Sequence, residues 1–209
     1  MFITNMLITD IVPMDKKRKR IILEDSSSFC LYNKEIKNLE IEIDDQITEE
    51  KWIKIEEILE KRAKERVLYL LNDMDKTEYE VSEKLKAGFY PQEIIDNTIS
   101  YLKSYHYIDD DRFARQYIEQ KKDSLSYRQL MQKLMNKGIS KEILNEILEE
   151  KEDGELEALD KLLRKKNVDF SRISTEEKQK IYAYFIRRGF AYENIVKKIN
   201  EFESHEHLT

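Results

Sequence analysis

The sequence predicts a mainly α-helical protein: an elongated tandem array of three three-helix, helix-turn-helix-like repeats behind a small N-terminal β-meander. Three observations carry this. Only four Gly and two Pro interrupt 209 residues, of which 38% are charged and 40% hydrophobic, so breakers are scarce and apolar residues come in spaced clusters rather than thick blocks. Three of the glycines lie in one local frame, "KLKAGFYPQEII", "KLMNKGISKEIL" and "YFIRRGFAYENIV", with Gly88, Gly138 and Gly189 separated by 50 and 51 residues. Upstream of each stands a matching helix start, Thr77-x-x-Glu80, Ser126-x-x-Gln129 and Ser174-x-x-Glu177, in which hydroxyl and carboxylate or amide can satisfy backbone donors reciprocally.

The elements follow in order. Between residues 6 and 33, "MLITDIVPM", "KRIILED" and "SFCLYN" are short runs rich in Ile, Val, Leu and Phe. They predict three strands with turns near Asp15 and Ser26, the basic turn Lys16 to Arg20 and the strand Ile21 to Leu23 lying on one edge. Thr48 caps a helix carrying Trp52, Ile55, Ile58 and Leu59 at helical spacing and running to about Asn72. In each repeat a helix then ends at the Gly, which takes up a left-handed conformation without strain. The next residue, Phe89, Ile139 or Phe190, folds back on the last turn. A preceding helix completes each unit, at about 51–72, 110–122 and 155–166. The domains expected are an N-terminal β extension (1–47), repeats at 48–106, 107–152 and 153–203, and a disordered tail (204–209). The segment "EEKEDGEL" around Gly154 is expected to be a flexible joint.

Metal and catalytic chemistry find little support. Asp109, Asp110 and Asp111 are adjacent and cannot converge on one ion without an unusual turn, whereas a helix start needs acids at that place. "DMDKTEYEVSEK" lacks the central Gly of a calcium loop and ends in Lys84. The single Cys30 excludes an internal disulfide, and no Cys-x-x-Cys, His-x-x-x-His, Gly-x-Ser-x-Gly or phosphate loop occurs. No apolar run approaches the ~20 residues of a membrane span. The expectation is a cytoplasmic, monomeric protein without cofactor or metal.

Charge is distributed unevenly. Residues 1–111 hold 17 Lys/Arg against 25 Asp/Glu, while Arg112 to Lys141 holds eight bases and two acids. Such a stretch can meet phosphates or an acidic protein surface.

"YLKSYHYIDDDRFARQYIEQKK", with "LMQKLMNKGISKEIL" and "KIYAYFIRRGFAYENIVKKI" behind it, resembles the RecX family, bacterial regulators of the recombinase RecA. The resemblance covers roughly residues 65–200. Its signature, Tyr-Ile/Leu-Asp-Asp-x-Arg-Phe-Ala, is matched by Tyr107, Ile108, Asp109, Asp110, Arg112, Phe113 and Ala114. His106 stands where a Gly is more usual. The resemblance implies a non-enzymatic protein that binds the RecA nucleoprotein filament, in its helical groove, and mainly inhibits recombinase, ATPase and coprotease activity in recombination and DNA repair, with weak contact to single- or double-stranded DNA. The contact residues expected are Arg112, Arg115, Lys122, Arg128, Lys133, Lys137, Lys165, Arg187 and Arg188. Gly88, Gly138, Gly189 and the signature residues are expected to be structural. The alternative is a stand-alone helix-turn-helix DNA-binding protein.

Overall fold

The computed structural model describes residues 5–122, 124–149, 154–166 and 173–206. The chain forms two compact units, Met1–Asp109 and Asp110–Thr209.

Unit 1 begins with an antiparallel sheet of β1 (Ile8–Pro13), β2 (Arg18–Leu23) and β3 (Ser28–Tyr32) in the order β1-β2-β3. Because β2 lies in the centre, the expected edge position of Ile21 to Leu23 is corrected. Ile21, paired with both neighbours, and Leu23, paired with β1, belong to the core and are buried. A short helix with no sequence forecast, α1 (Asn33–Asn38), follows, and then the long α2 (Glu49–Asp73). Thr48 caps α2 by accepting the Lys51 N–H at 3.2 Å. Trp52, Ile55, Leu59, Ala63 and Val67 are buried along it, three or four residues apart as one helix face requires. The helices α3 (Glu78–Lys86) and α4 (Gln92–Ser104) complete the unit and pack on each other, with α4 also packed on α2.

The sheet and the first repeat share a single core. Ile21, Phe29 and Leu31 from the sheet belong to one cluster with Trp52 and Ile55 of α2 and Leu85 and Ile94 of the following helices. A polar clasp reinforces this: Arg62 of α2 donates to the Cys30 carbonyl at 3.3 Å and to Glu35 Oε2 at 3.0 Å, while its guanidinium lies 4.9 Å from the Tyr32 ring centroid.

Unit 2 contains α5 (Asp110–Lys121), α6 (Tyr127–Asn136), α7 (Lys141–Glu149), α8 (Gly154–Lys165), α9 (Thr175–Arg187) and α10 (Tyr192–Glu206). Two clusters fill it. Ala114, Ile118, Leu130, Leu134, Ile139, Leu144 and Ile147 make one. Leu159, Leu163, Ile181, Phe185, Phe190 and Ile195 are the main members of the other. Of the expected joint, Glu149 ends α7 and Gly154, Glu155 and Leu156 begin α8, while residues 150–153 lie outside the described residues. The last helix runs on to Glu206, two residues beyond the start of the expected tail, and residues 207–209 lie outside.

The helix stops differ instructively from the expected pattern. Gly138 and Gly189 have φ of 82° and 84°, but Gly88 is not left-handed; Phe89 is, at 57°. The hydrogen bonds fix the true frame: Tyr90 N–H reaches Leu85 O (3.3 Å), Ile139 reaches Leu134 (3.1 Å) and Phe190 reaches Phe185 (3.1 Å), the six-to-one closure of a Schellman stop. The first stop thus falls one residue past its glycine, and its buried apolar residue is Tyr90 rather than Phe89. Gly88 answers a different need, since a Cβ there would lie 2.9 Å from the Tyr90 ring.

A fourth stop of the same kind ends α4, where Tyr107 N–H bonds Leu102 O at 2.9 Å and His106 carries φ of 57°. A left-handed backbone strains any residue with a Cβ. His106→Gly is therefore expected to stabilise the protein by about 0.5–1 kcal/mol, the relief of strain being partly offset by the freer unfolded chain. A rise in the thermal midpoint checks it.

Capping also divides. Thr77 with Glu80 and Ser174 with Glu177 form complete reciprocal boxes. Ser126 accepts the Gln129 N–H at 3.2 Å, but its hydroxyl donates to the Arg188 carbonyl, 62 residues away, at 2.5 Å. The expected return bond from Gln129 is replaced by a link between the second and third repeats, and Gln129 Oε1 is buried without a partner.

Candidate functional site

The three acids that precede the signature arginine start a helix. Asp110 and Asp111 occupy the first turn of α5, where the positive end of the helix favours them, and Asp111 receives Arg115 Nε at 2.8 and 3.0 Å. Among the described residues no group of three or more His, Cys, Asp or Glu is placed to hold a metal ion. No helix among them is long and apolar enough to cross a membrane.

Of the other signature residues, Ala114 is fully buried and Phe113 stacks on Tyr117, ring centroids 6.2 Å apart at 15°. Tyr107 is 47% exposed beside Tyr105, and Ile108 supplies the buried side chain at that place.

Of the nine candidate bases, Arg115, Lys122, Lys137 and Arg188 make the following contacts within unit 2. Arg115 pairs with Asp111 and Lys122 with Glu119 along α5. Lys137, expected outward, lies 5.3 Å from the Phe113 ring centroid. Arg188 donates to the Ser124 carbonyl at 3.2 Å and lies 4.7 Å from the Tyr184 ring centroid. Arg112, Arg128, Lys133, Lys165 and Arg187 are exposed.

Folding gathers part of this set. The link between Ser126 and the Arg188 carbonyl brings the start of α6 against the end of α9, so that Gly189 lies beside Arg128: a Cβ on Gly189 would be 3.7 Å from the Arg128 Cβ. Lys166, just past α8, reaches within 3.8 Å of the centroid of the same Tyr184 ring that Arg188 contacts. Two cations on one ring, each drawn by its negative face, with Arg128, Arg187 and Lys165 on adjoining positions, make a cationic cluster where three helix ends meet. Sequence reasoning passed over Lys166. The run Arg164-Lys165-Lys166 at the end of α8 was the available signal, but only the fold tells which of the three reaches the Tyr184 ring. Arg164 bonds Asp160 at 2.7 Å and lies 5.1 Å from the centroid of a different ring, Phe202.

Fold and surface together define a tandem three-helix repeat protein whose marked surface feature is cationic. Family models for the first, second and third three-helix domains of RecX match residues 63–102, 109–148 and 153–199. "Regulatory protein RecX" of Caldanaerobacter subterraneus subsp. tengcongensis is 31% identical over 200 residues, 93% of this chain and 99% of that protein. The protein of the same name from Clostridium beijerinckii is 28% identical over 91% of this chain and 93% of its own length. The chain belongs to the RecX family. Two solved structures share the fold: a crystal structure of regulatory protein RecX (TM-score 0.60, 20% identity, 93% of this chain and 99% of that one) and RecX from Lactobacillus salivarius (0.61, 22%, 69% and 97%). The first domain model begins at residue 63, midway along α2. The half of α2 before it carries Trp52, Ile55 and Leu59, which share a core with the sheet.

Proposed function

We propose that this chain regulates the RecA recombinase in the cytoplasm by binding the RecA nucleoprotein filament in its helical groove and restraining strand exchange, ATP hydrolysis and coprotease activity, without catalysing a reaction of its own. The observation that supports this most directly is the cationic cluster of Arg128, Lys166, Arg187 and Arg188 at the junction of the second and third repeats, on a chain of the RecX family. Tandem units suit a repeating partner, because weak contacts by successive units add through effective concentration.

The test is RecA-catalysed ATP hydrolysis and strand exchange on single-stranded DNA, with and without the protein. Both are expected to fall as the protein is added. Unchanged RecA activity beside tight, salt-sensitive duplex binding would reject the regulator reading in favour of a stand-alone helix-turn-helix DNA-binding protein.

The exposed members of the cluster give the sharper variant. Arg128→Glu with Lys165→Glu and Arg187→Glu is expected to raise the concentration needed for half-maximal inhibition about tenfold or more, since like charge replaces complementary charge at the contact. Helix content by circular dichroism should stay unchanged. Reversal of Arg115 and Lys122 is a poorer probe. Each would face its own acid, Asp111 or Glu119, at a cost to α5 of a few tenths of a kcal/mol.

A further inference from the structure

The N-terminal sheet holds a second cationic feature, outside the three family domains. Five of the seventeen Lys and Arg residues in the acidic stretch 1–111 occupy consecutive positions, Lys16 to Arg20. Lys16 and Lys17 form the exposed turn between β1 and β2. That turn is held from two sides. Asp15 Oδ1 accepts the N–H groups of Lys17 and Arg18, both at 2.8 Å, and Asp15 Oδ2 accepts Arg18 Nε at 2.7 Å. Asn33 donates its N–H to the Lys17 carbonyl at 2.9 Å and its Nδ2 to the Lys16 carbonyl at 3.1 Å. The latter bonds bring the start of α1, and with it the exposed Lys34, to the same end of the sheet.

The neighbouring arginines and Glu35 are spent internally. Arg18 is paired with Asp15, and Arg20 bonds Ser28 Oγ at 2.9 Å with its guanidinium 4.4 Å from the Phe89 ring centroid. Glu35 is taken by Arg62 and the Tyr32 N–H. The Lys17 N–H, followed by the Arg18 side chain, holds the Asp15 carboxyl below the usual carboxylate range, so it stays ionised and keeps the turn closed. Lys16, Lys17 and Lys34 face solvent on this fixed backbone, with no acid partner for their ammonium groups among the described residues.

From this geometry we infer that Lys16, Lys17 and Lys34 form a binding site for the phosphate backbone of nucleic acid. Protein interfaces are poor in Lys and built around buried aromatic or Arg anchors. Here the arginines are the residues turned to internal bonds, and the outward groups are compact ammonium charges, which suit phosphates met without sequence readout. The fixed turn lowers the cost of ordering the contact. This inference does not rest on the recombinase reading and is measured with DNA alone.

The experiment is fluorescence anisotropy of the full chain with a labelled oligonucleotide, single-stranded in one arm and duplex in the other, across roughly 50 to 200 mM salt. K16Q/K17Q/K34Q is expected to bind about tenfold or more weakly at the low-salt end, and its log–log salt slope on single strands should fall by about 0.7 per lysine removed. A control with the same loss of charge elsewhere in unit 1, K54Q/K61Q/K84Q, should keep the slope of the unaltered chain, and K16R/K17R/K34R should keep binding. Equal slopes for the two Gln variants, or no binding of either DNA by the unaltered chain, would overturn the inference. So would polyglutamate binding that matches DNA in strength and in its loss on K16Q/K17Q/K34Q, which would assign the site to an acidic protein surface.

Discussion

Phe29→Ala is expected to destabilise unit 1 by about 3–5 kcal/mol, the usual cost of removing a buried aromatic ring and leaving its cavity. Phe29 is fully buried on β3, and its ring meets Trp52 of α2 edge to face, centroids 5.9 Å apart at 69°. That geometry adds to simple area burial. A loss of this size is a large part of the ~5–15 kcal/mol that holds a typical domain together. Trp52 is the only tryptophan in the chain, so its fluorescence reports on this contact while far-UV circular dichroism reports on the helices. The shared core requires that the fluorescence transition and the loss of unit-1 helix move together to lower urea. A fluorescence transition that moves alone, with the helical signal of unit 1 holding, would show that the sheet is an appendage and that α2 is ordered without it.

This coupling marks where the sequence stopped being legible. Strand runs, the turn near Asp15 and the starts at Thr48, Thr77, Ser126 and Ser174 were readable, because each depends on residues within four positions of one another. The sharing of one core by Phe29 and Trp52 has no local signal. Nor does the clasp by which Arg62 reaches Cys30, 32 residues away. The glycine frame was readable at Gly138 and Gly189 but slipped at Gly88, because a glycine serves two needs that look alike in sequence. One is a left-handed backbone; the other is room for a neighbouring ring. His106 shows the converse, a left-handed stop without the expected glycine. For the candidate site, composition found the basic stretch but could not separate Arg115 and Lys122, neutralised one turn away, from Arg128 and Arg187, which folding carries to a common junction.

Gly189→Ala tests that junction, with an expected loss of about 2–4 kcal/mol. Two causes contribute. With φ of 84°, any side chain at this position incurs the left-handed strain of about 1–2 kcal/mol. The new Cβ would also lie 2.9 Å from Ser126 Oγ, a fully buried hydroxyl that holds both the Arg188 carbonyl and the Gln129 N–H. Displacing it leaves buried groups unpaired, at about 1–3 kcal/mol. A double-mutant cycle separates the two causes. Ser126→Ala alone should lose about 1–2 kcal/mol as a cap. In that background Gly189→Ala should lose only the backbone share, because the atom it strikes has gone, and the coupling should amount to about 1 kcal/mol or more. Additive losses would mean that the two repeats do not depend on this bond and that Arg128 and Arg188 are held together by other contacts. Strong coupling would tie the position of the cationic cluster to a single serine and a single glycine 63 residues apart in sequence.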